Sequence, residues 1–265
     1  MLATRVIPCL DVRDGRIVKG VRFQGLRDAG DPAERAATYE AEGADEIVLL
    51  DVSATPEGRA HGLDTVRAVR RVLGIPLTVG GGVRSHKDAL ALLEAGADKV
   101  AVNTAAVERA ELLEEIAFRF GNQCTVLALD ARAREGGPPR APGGPPPVSS
   151  WEVLVRSGHE PTGTDAVAWA EEAVRRGAGE IVLTSWDRDG TRSGYDTALI
   201  RAVSSAVRVP VVASGGAASA EHLIEAARAG ASAVLAASLF HDGDTTVAEV
   251  KRVLAAAGLT VRPAA

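Results

Sequence analysis

The sequence predicts an α/β fold, a single (β/α)8 TIM barrel built from two homologous (β/α)4 half-barrels. Three observations lead to this fold. Short apolar runs rich in β-branched residues alternate with longer amphipathic segments, eight of each can be counted, and the chain repeats itself once. Eight βα units in 265 residues match the usual size of a closed barrel. We therefore expect one domain over residues 1–265.

The repeat has a fixed offset of 134 positions. The stretch 43–49 (GADEIVL) returns at 177–183 (GAGEIVL), Gly81-Gly82 returns as Gly215-Gly216, and Ala-Gly-Ala at 95–97 returns at 229–231. One offset across three blocks indicates two equivalent halves, which we place at about 1–122 and 123–265. A site formed between two like halves should bind a ligand with two like ends.

Each predicted strand is too short for a buried helix and apolar on both faces, as parallel strands covered on both sides are. The eight runs are 5–12, 46–53, 76–82, 98–104, 124–130, 180–187, 209–216 and 231–238. An open, doubly wound sheet is the alternative fold. It is the weaker one, because no G-x-G-x-x-G motif follows the first strand.

The segments between these runs carry helix start signals. Asp31-Pro32 has the pattern of an N-cap followed by proline in the first helical position, and Ser85, Thr164 and Ser219 are further N-cap candidates. Residues 132–150 break the pattern, because 136–147 reads GGPPRAPGGPPP. This low-complexity stretch predicts a mobile insertion. It could mark a domain boundary, but its position after strand five favours a long βα loop.

Composition narrows the classes of function. A net charge of −5 gives no electrostatic reason to expect nucleic acid or an anionic membrane as partner. No apolar run approaches the roughly 20 residues of a membrane helix, and the start has no signal-peptide pattern. Cys9 and Cys124 lie in apolar runs, which favours reduced thiols and a cytoplasmic location. The five histidines show no metal-ligand spacing, so we expect neither a metal nor a cofactor.

Two aspartates are the candidate catalytic groups. Asp11 ends the first predicted strand and Asp130 the fifth, so the barrel should set them across its mouth from one another. Proton transfer at two separated atoms of a substrate needs two such groups. A single aspartate at a strand end would more often be a helix cap, but two at opposed strands favour catalysis.

Candidate anion-binding residues follow four other strands. Glycine lets a backbone approach an anion closely, and Asn, Thr and Ser supply further donors. The loops after strands seven and eight often bind phosphate in barrels, and the repeat predicts a second such site after strands three and four. The residues are Gly81, Gly82, Asn103, Thr104, Ser214, Gly215, Gly216, Ala237 and Ser238. The expected ligand therefore carries two phosphates at opposite ends.

The loop after strand six favours ligand contact through Asp189, Gly190 and Thr191. Lys19, in the loop after strand one, fits an anion contact and a plain surface lysine equally well.

A charged cluster at the other end of the barrel combines Arg5, Glu46, Lys99 and Glu180, each just before an apolar strand. Mixed charges there commonly plug the barrel bottom.

These motifs together resemble a known family. The stretches RVIPCLDVRDGRIVKG, DPAERA, VGGGVRS, GADKVAVNTAAV, SWDRDGTRSGYD and ASGGA are similar to the cyclase subunits of imidazole glycerol phosphate synthase, in histidine biosynthesis. The likeness runs over nearly the whole chain except the stretch near 132–150. The family commonly has a short hairpin after strand five, where this chain carries the insertion and where Val155-Arg156 departs from a common pattern.

The resemblance implies a reaction. Ammonia delivered by a glutaminase subunit and a bis-phosphorylated ribulosyl formimino aminoimidazole carboxamide ribonucleotide give imidazole glycerol phosphate and aminoimidazole carboxamide ribonucleotide. Asp11 and Asp130 match the family's general acid and base. Arg5, Glu46, Lys99 and Glu180 match a gate for ammonia, and Asp98 would face the glutaminase. Substrate contacts are implied at Lys19, Ser157, Gly158 and Thr184.

Two other functions compete. The isomerase one step earlier in the pathway shares the half-barrel repeat, the paired aspartates and the phosphate sites, but CLDVRDGRIVKG, SGYD and the charged cluster favour the cyclase. A non-catalytic subunit that only binds and regulates a glutaminase is the second. The presence of both Asp11 and Asp130 argues against it.

Overall fold

The computed structural model describes residues 3–21, 24–54, 62–134 and 149–263. For residues 19–21 and 24–27 it describes the backbone alone. Most of the predicted insertion at 132–150 therefore lies outside the described residues, as does the side chain of Lys19.

Twelve strands are present in the described part of the chain. They are β1 (Arg5–Arg13), β2 (Arg16–Val21), β3 (Gln24–Gly30), β4 (Ile47–Asp51), β5 (Leu77–Gly80), β6 (Lys99–Val102), β7 (Thr125–Ala133), β8 (Trp151–Val155), β9 (Glu160–Asp165), β10 (Glu180–Ser185), β11 (Val211–Ser214) and β12 (Ala233–Ala236). The eight barrel strands pair in parallel in the order β1-β4-β5-β6-β7-β10-β11-β12. Pairing of β12 with β1, Ala233 opposite Arg5, closes the sheet. The predicted closed barrel and its eight strands are confirmed.

The other four strands form two hairpins at the C-terminal end of the barrel. Between β1 and β2, Asp14 and Gly15 both have positive φ, 50° and 75°, as a type I′ turn requires. Because each hairpin continues a barrel strand, β1 runs to Arg13 and β7 to Ala133, beyond the predicted ends. The resemblance implied the β8–β9 hairpin, whereas the β2–β3 hairpin was not predicted.

Ten α-helices lie in the described residues, and eight of them are the predicted helices that follow the eight barrel strands. They are α1 (Pro32–Ala41), α2 (Leu63–Val72), α3 (His86–Glu94), α4 (Thr104–Glu108), α5 (Glu111–Phe120), α6 (Ala166–Arg175), α7 (Thr197–Ala206), α8 (Ala220–Arg228), α9 (Ser238–His241) and α10 (Val247–Ala256). The short helices α4 and α9 follow β6 and β12 directly. No helix in the described ranges is long and apolar enough to cross a membrane.

The helix caps confirm three predictions and correct one. Ser219 is the N-cap residue of α8. Asp31 caps α1 and Ser85 caps α3 through their side chains. Thr164 was the wrong residue for α6, because the carboxylate of Asp165 accepts the backbone N–H groups of Val167 and Ala168. A carboxylate also favours the positive end of the helix dipole.

Apolar residues fill both sides of the barrel wall. One layer packs the strands against the surrounding helices, and a second fills the barrel interior. The interior layer consists of Ile7, Cys9, Val48, Ala101, Val126, Val182, Val212, Ala233 and Leu235. Strands that are apolar on both faces follow from this arrangement, and the polar residues that remain are concentrated at the two barrel ends.

Candidate active site

A cavity of about 300 Å³ opens at the C-terminal end of the barrel. The strand ends and the loops that follow them build its wall. Fifteen of the predicted site residues line it: Asp11, Gly81, Gly82, Asn103, Thr104, Asp130, Ser157, Thr184, Asp189, Gly190, Ser214, Gly215, Gly216, Ala237 and Ser238. The predictions that were made separately for catalysis and for anion binding thus meet in one cavity.

Asp11 and Asp130 face one another across the cavity. Their strands, β1 and β7, are four positions apart in either direction around the closed sheet. The Cys9 thiol, two residues before Asp11 and on the same face of β1, donates to Asp11 Oδ1 with an S–O distance of 3.3 Å. Asn103 Nδ2 donates to Asp130 Oδ2 at 3.0 Å. Each carboxylate is therefore held by a different kind of donor.

Both carboxyl groups titrate near neutral pH. Burial raises the pKa of Asp11 to about 7, and the charge of Asp189 adds to this effect. Burial followed by the charge of Asp189 also raises the pKa of Asp130 to about 7, against the opposing hydrogen bonds from Thr184 and Asn103. A group with a pKa near 7 can give or accept a proton at physiological pH. The pair is suited to general acid–base catalysis.

Two glycine turns repeat across the barrel. Gly81 (φ 98°) and Gly215 (φ 92°) are in the left-handed region. A Cβ at Gly81 would lie 2.2 Å from the carbonyl oxygen of Asp51, and one at Gly215 would lie 2.8 Å from that of Ser185. Asp51 and Ser185 are themselves 134 positions apart, so both halves use glycine for the same close backbone approach.

Gly81→Ala should be strongly destabilising. A Cβ at φ 98° costs about 1–2 kcal/mol, and the clash with Asp51 adds about 1–3 kcal/mol more. We expect urea unfolding to show a loss of roughly 3 kcal/mol.

Gly163→Ala is the matched control, because Gly163 also has positive φ (71°) but no atom lies within 4 Å of its Cβ position. It should lose only about 1 kcal/mol. Equal losses in the two variants would show that the close approach at Gly81 carries no energetic weight.

The tip of the β8–β9 hairpin reaches over the cavity. Ser157 Oγ donates to the Val52 carbonyl at 3.1 Å, and the Arg156 N–H donates to Thr104 Oγ1 at 2.9 Å. Gly158, predicted to contact substrate, does not line the cavity. A Cβ there would fall 2.1 Å from the Trp186 ring, so Gly158 lets the hairpin pack on that ring.

The charged cluster forms one connected network at the opposite end of the barrel. Glu46 accepts from Arg5 Nη1 at 2.7 Å and from Lys99 Nζ at 2.9 Å, and Lys99 also contacts Glu180 at 2.6 Å. Arg5 closes the ring on Glu180. The side chains of Glu46 and Glu180 are only 3% and 7% exposed, so their carboxylates have little access to partners outside the ring. Asp98, beside this ring, pairs with Arg70 at 3.0 Å and is half exposed.

Several residues of the cavity and of the charged cluster were not predicted from the sequence. Cys9 could have been found from its position two residues before Asp11, since alternate residues of a strand share a face. Thr78, which donates to Glu46 Oε1 at 2.5 Å, enters β5 at the charged end and had the same kind of signal. The cavity also takes side chains from helices and loops for which no strand-end argument applies. These include Arg84, Glu108, Arg156, Arg192 and His241.

Comparison with known proteins adds independent information. The model of the family "Histidine biosynthesis protein" matches residues 5–246. A Caulobacter vibrioides (strain NA1000 / CB15N) protein named imidazole glycerol phosphate synthase subunit HisF is 55% identical over 263 residues, 99% of this chain and 97% of the relative. The protein of the same name from Mycobacterium bovis (strain BCG / Pasteur 1173P2) is 56% identical over 261 residues, 98% and 96% of the two chains.

Proposed function

The chain belongs to the HisF family of imidazole glycerol phosphate synthase subunits, the cyclases of histidine biosynthesis, and we propose how its barrel performs the reaction. Asp11 and Asp130 act as general acid and general base on a substrate with a phosphate at each end. That substrate is the ribulosyl formimino aminoimidazole carboxamide ribonucleotide. Ammonia closes the imidazole ring, and aminoimidazole carboxamide ribonucleotide leaves.

The observation that carries the proposal is one cavity with two opposed carboxyls and two repeated glycine turns. Each new C–N bond to ammonia must shed a proton, and the broken C–N bond needs a proton on its leaving nitrogen. Carboxyls with pKa values of about 7 can serve both needs. The glycine turns at Gly81-Gly82 and Gly215-Gly216 leave bare backbone for the two phosphates.

Ammonia would enter at the charged end of the barrel. Arg5, Glu46, Lys99 and Glu180 form the gate, and the apolar interior layer separates it from the cavity. Neutral ammonia crosses apolar surroundings far more cheaply than ammonium ion does. The apolar layer behind the gate therefore favours passage of neutral ammonia, the form of nitrogen that can attack.

The partner follows from the same direction of entry. The relatives are named as subunits of a synthase, and a glutaminase docked on the N-terminal face would release ammonia beside Asp98 and the gate. The half-exposed Asp98 carboxylate offers a cation on the partner a contact. A cytoplasmic location fits this metabolic role.

An ammonium-driven assay tests the proposal. The purified chain without a glutaminase should form imidazole glycerol phosphate from the bis-phosphorylated substrate at high ammonium salt and alkaline pH, where more of the nitrogen is free ammonia. Product analysis distinguishes this activity from that of the rival isomerase. Isomerisation of the aminoaldose precursor as the main reaction, with no ammonia consumed, would contradict the proposal.

A further inference from the structure

Asn103 lies in the cavity wall beside Asp130 and contacts it. It follows β6 directly and lines the cavity. Its Nδ2 donates to Asp130 Oδ2 at 3.0 Å. Its Oδ1 is buried and has no hydrogen-bond partner among the described residues. One end of the amide is thus satisfied and the other is not.

The orientation of the amide follows from the charge of its partner. An ionised carboxylate can only accept hydrogen bonds, so Asn103 must turn its NH2 group towards Asp130. Oδ1 is then directed away from Asp130. A buried acceptor without a donor is costly, and native proteins keep few of them. The missing hydrogen bond to Asn103 Oδ1 is explained if a bound molecule supplies the donor.

We propose that Asn103 is a positioning residue whose Nδ2 holds Asp130 in its ionised form while its Oδ1 accepts a hydrogen bond from an N–H or O–H group of the substrate. This inference rests on the proposed function, because it assigns Asp130 to the reaction. It adds a physical link between substrate binding and the state of Asp130.

The link works through rotation of the amide. A protonated Asp130 can donate to an amide oxygen, so protonation allows the Asn103 amide to turn over and present NH2 to the cavity. The group that meets the substrate then changes from an acceptor to a donor. Binding of a donor group at this position favours ionised Asp130, and binding of an acceptor favours the protonated form.

Other charges around Asp130 act in the same cavity. Asp189, after β10, and Asp11, on β1, are the carboxyl groups that face it across the cavity. Among the residues whose side chains the structure describes, the other titratable or charged groups in the cavity wall are Cys9, Asp51, Arg84, Glu108, Arg156, Arg192 and His241. Removal of the Asn103 amide leaves all of them in place, so a change in the Asp130 pKa can be assigned to the amide.

Titration of ¹³C-labelled aspartate carboxyls by NMR tests the positioning. The Asp130 signal is assigned by its absence in Asp130→Asn. In Asn103→Ala we expect the pKa of Asp130 to rise by about one unit, because a hydrogen bond to the charged form is lost. Asn103→Asp keeps the shape of the side chain and should raise an apparent pKa further, with the two carboxyls titrating as a pair. It also carries the test if Asn103→Ala does not fold.

Kinetics test the substrate contact. Asn103→Ala should raise KM about tenfold, whereas Asn103→Asp, which keeps an acceptor oxygen, should raise it less. Asn122→Ala, at the far end of the barrel, is the matched control and should change neither quantity. An unchanged Asp130 pKa in both variants, or an unchanged KM in Asn103→Ala, would overturn the inference. Full turnover by Asp130→Asn would instead overturn the proposed function, while the NMR result would still stand.

Discussion

Asp11→Asn and Asp130→Asn are each expected to lower kcat with ammonium salt by about 10²–10⁴-fold. Asparagine has the shape of aspartate but cannot exchange a proton at this pKa. The amide oxygen can still accept from the Cys9 thiol or the Asn103 amide, so substrate binding should change little. Steady-state kinetics should show the loss in kcat with KM nearly constant.

Asp14→Asn is the matched control for both variants. Asp14 lies in the β1–β2 turn with φ 50°, a conformation that asparagine tolerates well. It should keep full turnover. Full turnover in Asp11→Asn or Asp130→Asn would remove that residue from the proposed mechanism.

The same variants should gain stability at alkaline pH. The pKa of each carboxyl lies near 7 in the fold, above the ordinary aspartate value of 3.8. The folded state therefore holds more protons than the unfolded state between these two pH values, and stability falls as pH rises through that window. Removing the carboxyl removes this penalty. A higher Tm at pH 8 together with lost turnover would show that the variants fail in chemistry and not in folding.

Much of the fold could be predicted because barrel strands are buried on both faces. The runs 46–53 and 231–238, for example, are apolar throughout their centres, at residues 47–50 and 233–237, and this pattern persists whatever their neighbours are. The β2–β3 hairpin escaped prediction because Arg16–Val21 and Gln24–Gly30 carry many polar residues and little alternation. The Asp14-Gly15 pair was the available signal, since it is a typical hairpin turn.

The site was predictable where strand ends decide position. Asp11, Asp130 and the glycine turns follow from the barrel rule that strand C-termini line one face. The contact between Asn103 and Asp130 was not predictable, because it depends on the stagger of β6 and β7 and on side-chain rotamers. Arg84, Arg156 and Arg192 project from loops, and no periodicity places a loop side chain in a cavity.

Loss of a cation from the charged ring at the barrel bottom should strongly lower the stability of the fold. Lys99→Met removes the contacts of 2.9 Å and 2.6 Å to Glu46 and Glu180 and leaves Arg5 as the one remaining cation of the ring for two buried carboxylates. An unpaired buried charge costs about 3–5 kcal/mol. With Arg5 retained we expect the lower end of that range, or a fall in Tm of roughly 10 °C for a chain of this size.

Lys87→Met is the control for the stability measurement. Lys87 is exposed on α3, so its loss should leave Tm within about 1 °C. An equal effect of the two substitutions would mean that the ring contributes nothing beyond a surface ion pair.

The dependence of stability on pH in the acid range gives a second measurement. Burial alone would raise the pKa of Glu180, but the charges of Arg5 and Lys99 outweigh it and hold that pKa below its ordinary value of 4.5. The resulting stability is present above pH 4.5 and is lost as the pH falls through the lowered pKa. Lys99→Met should weaken this dependence, because one of the two cations that lower the pKa is gone.

Turnover rates distinguish a ring that admits ammonia from a ring that only closes the barrel bottom. Ammonium salt in solution can reach the cavity through its open mouth, so at a temperature where Lys99→Met is folded its ammonium-driven rate should match that of the wild type. In the proposed mechanism, ammonia released by a docked glutaminase passes the ring, so the glutamine-driven rate should change. If both rates stay equal to those of the wild type, the ring only closes the barrel; a change confined to the glutamine-driven rate assigns it to ammonia entry.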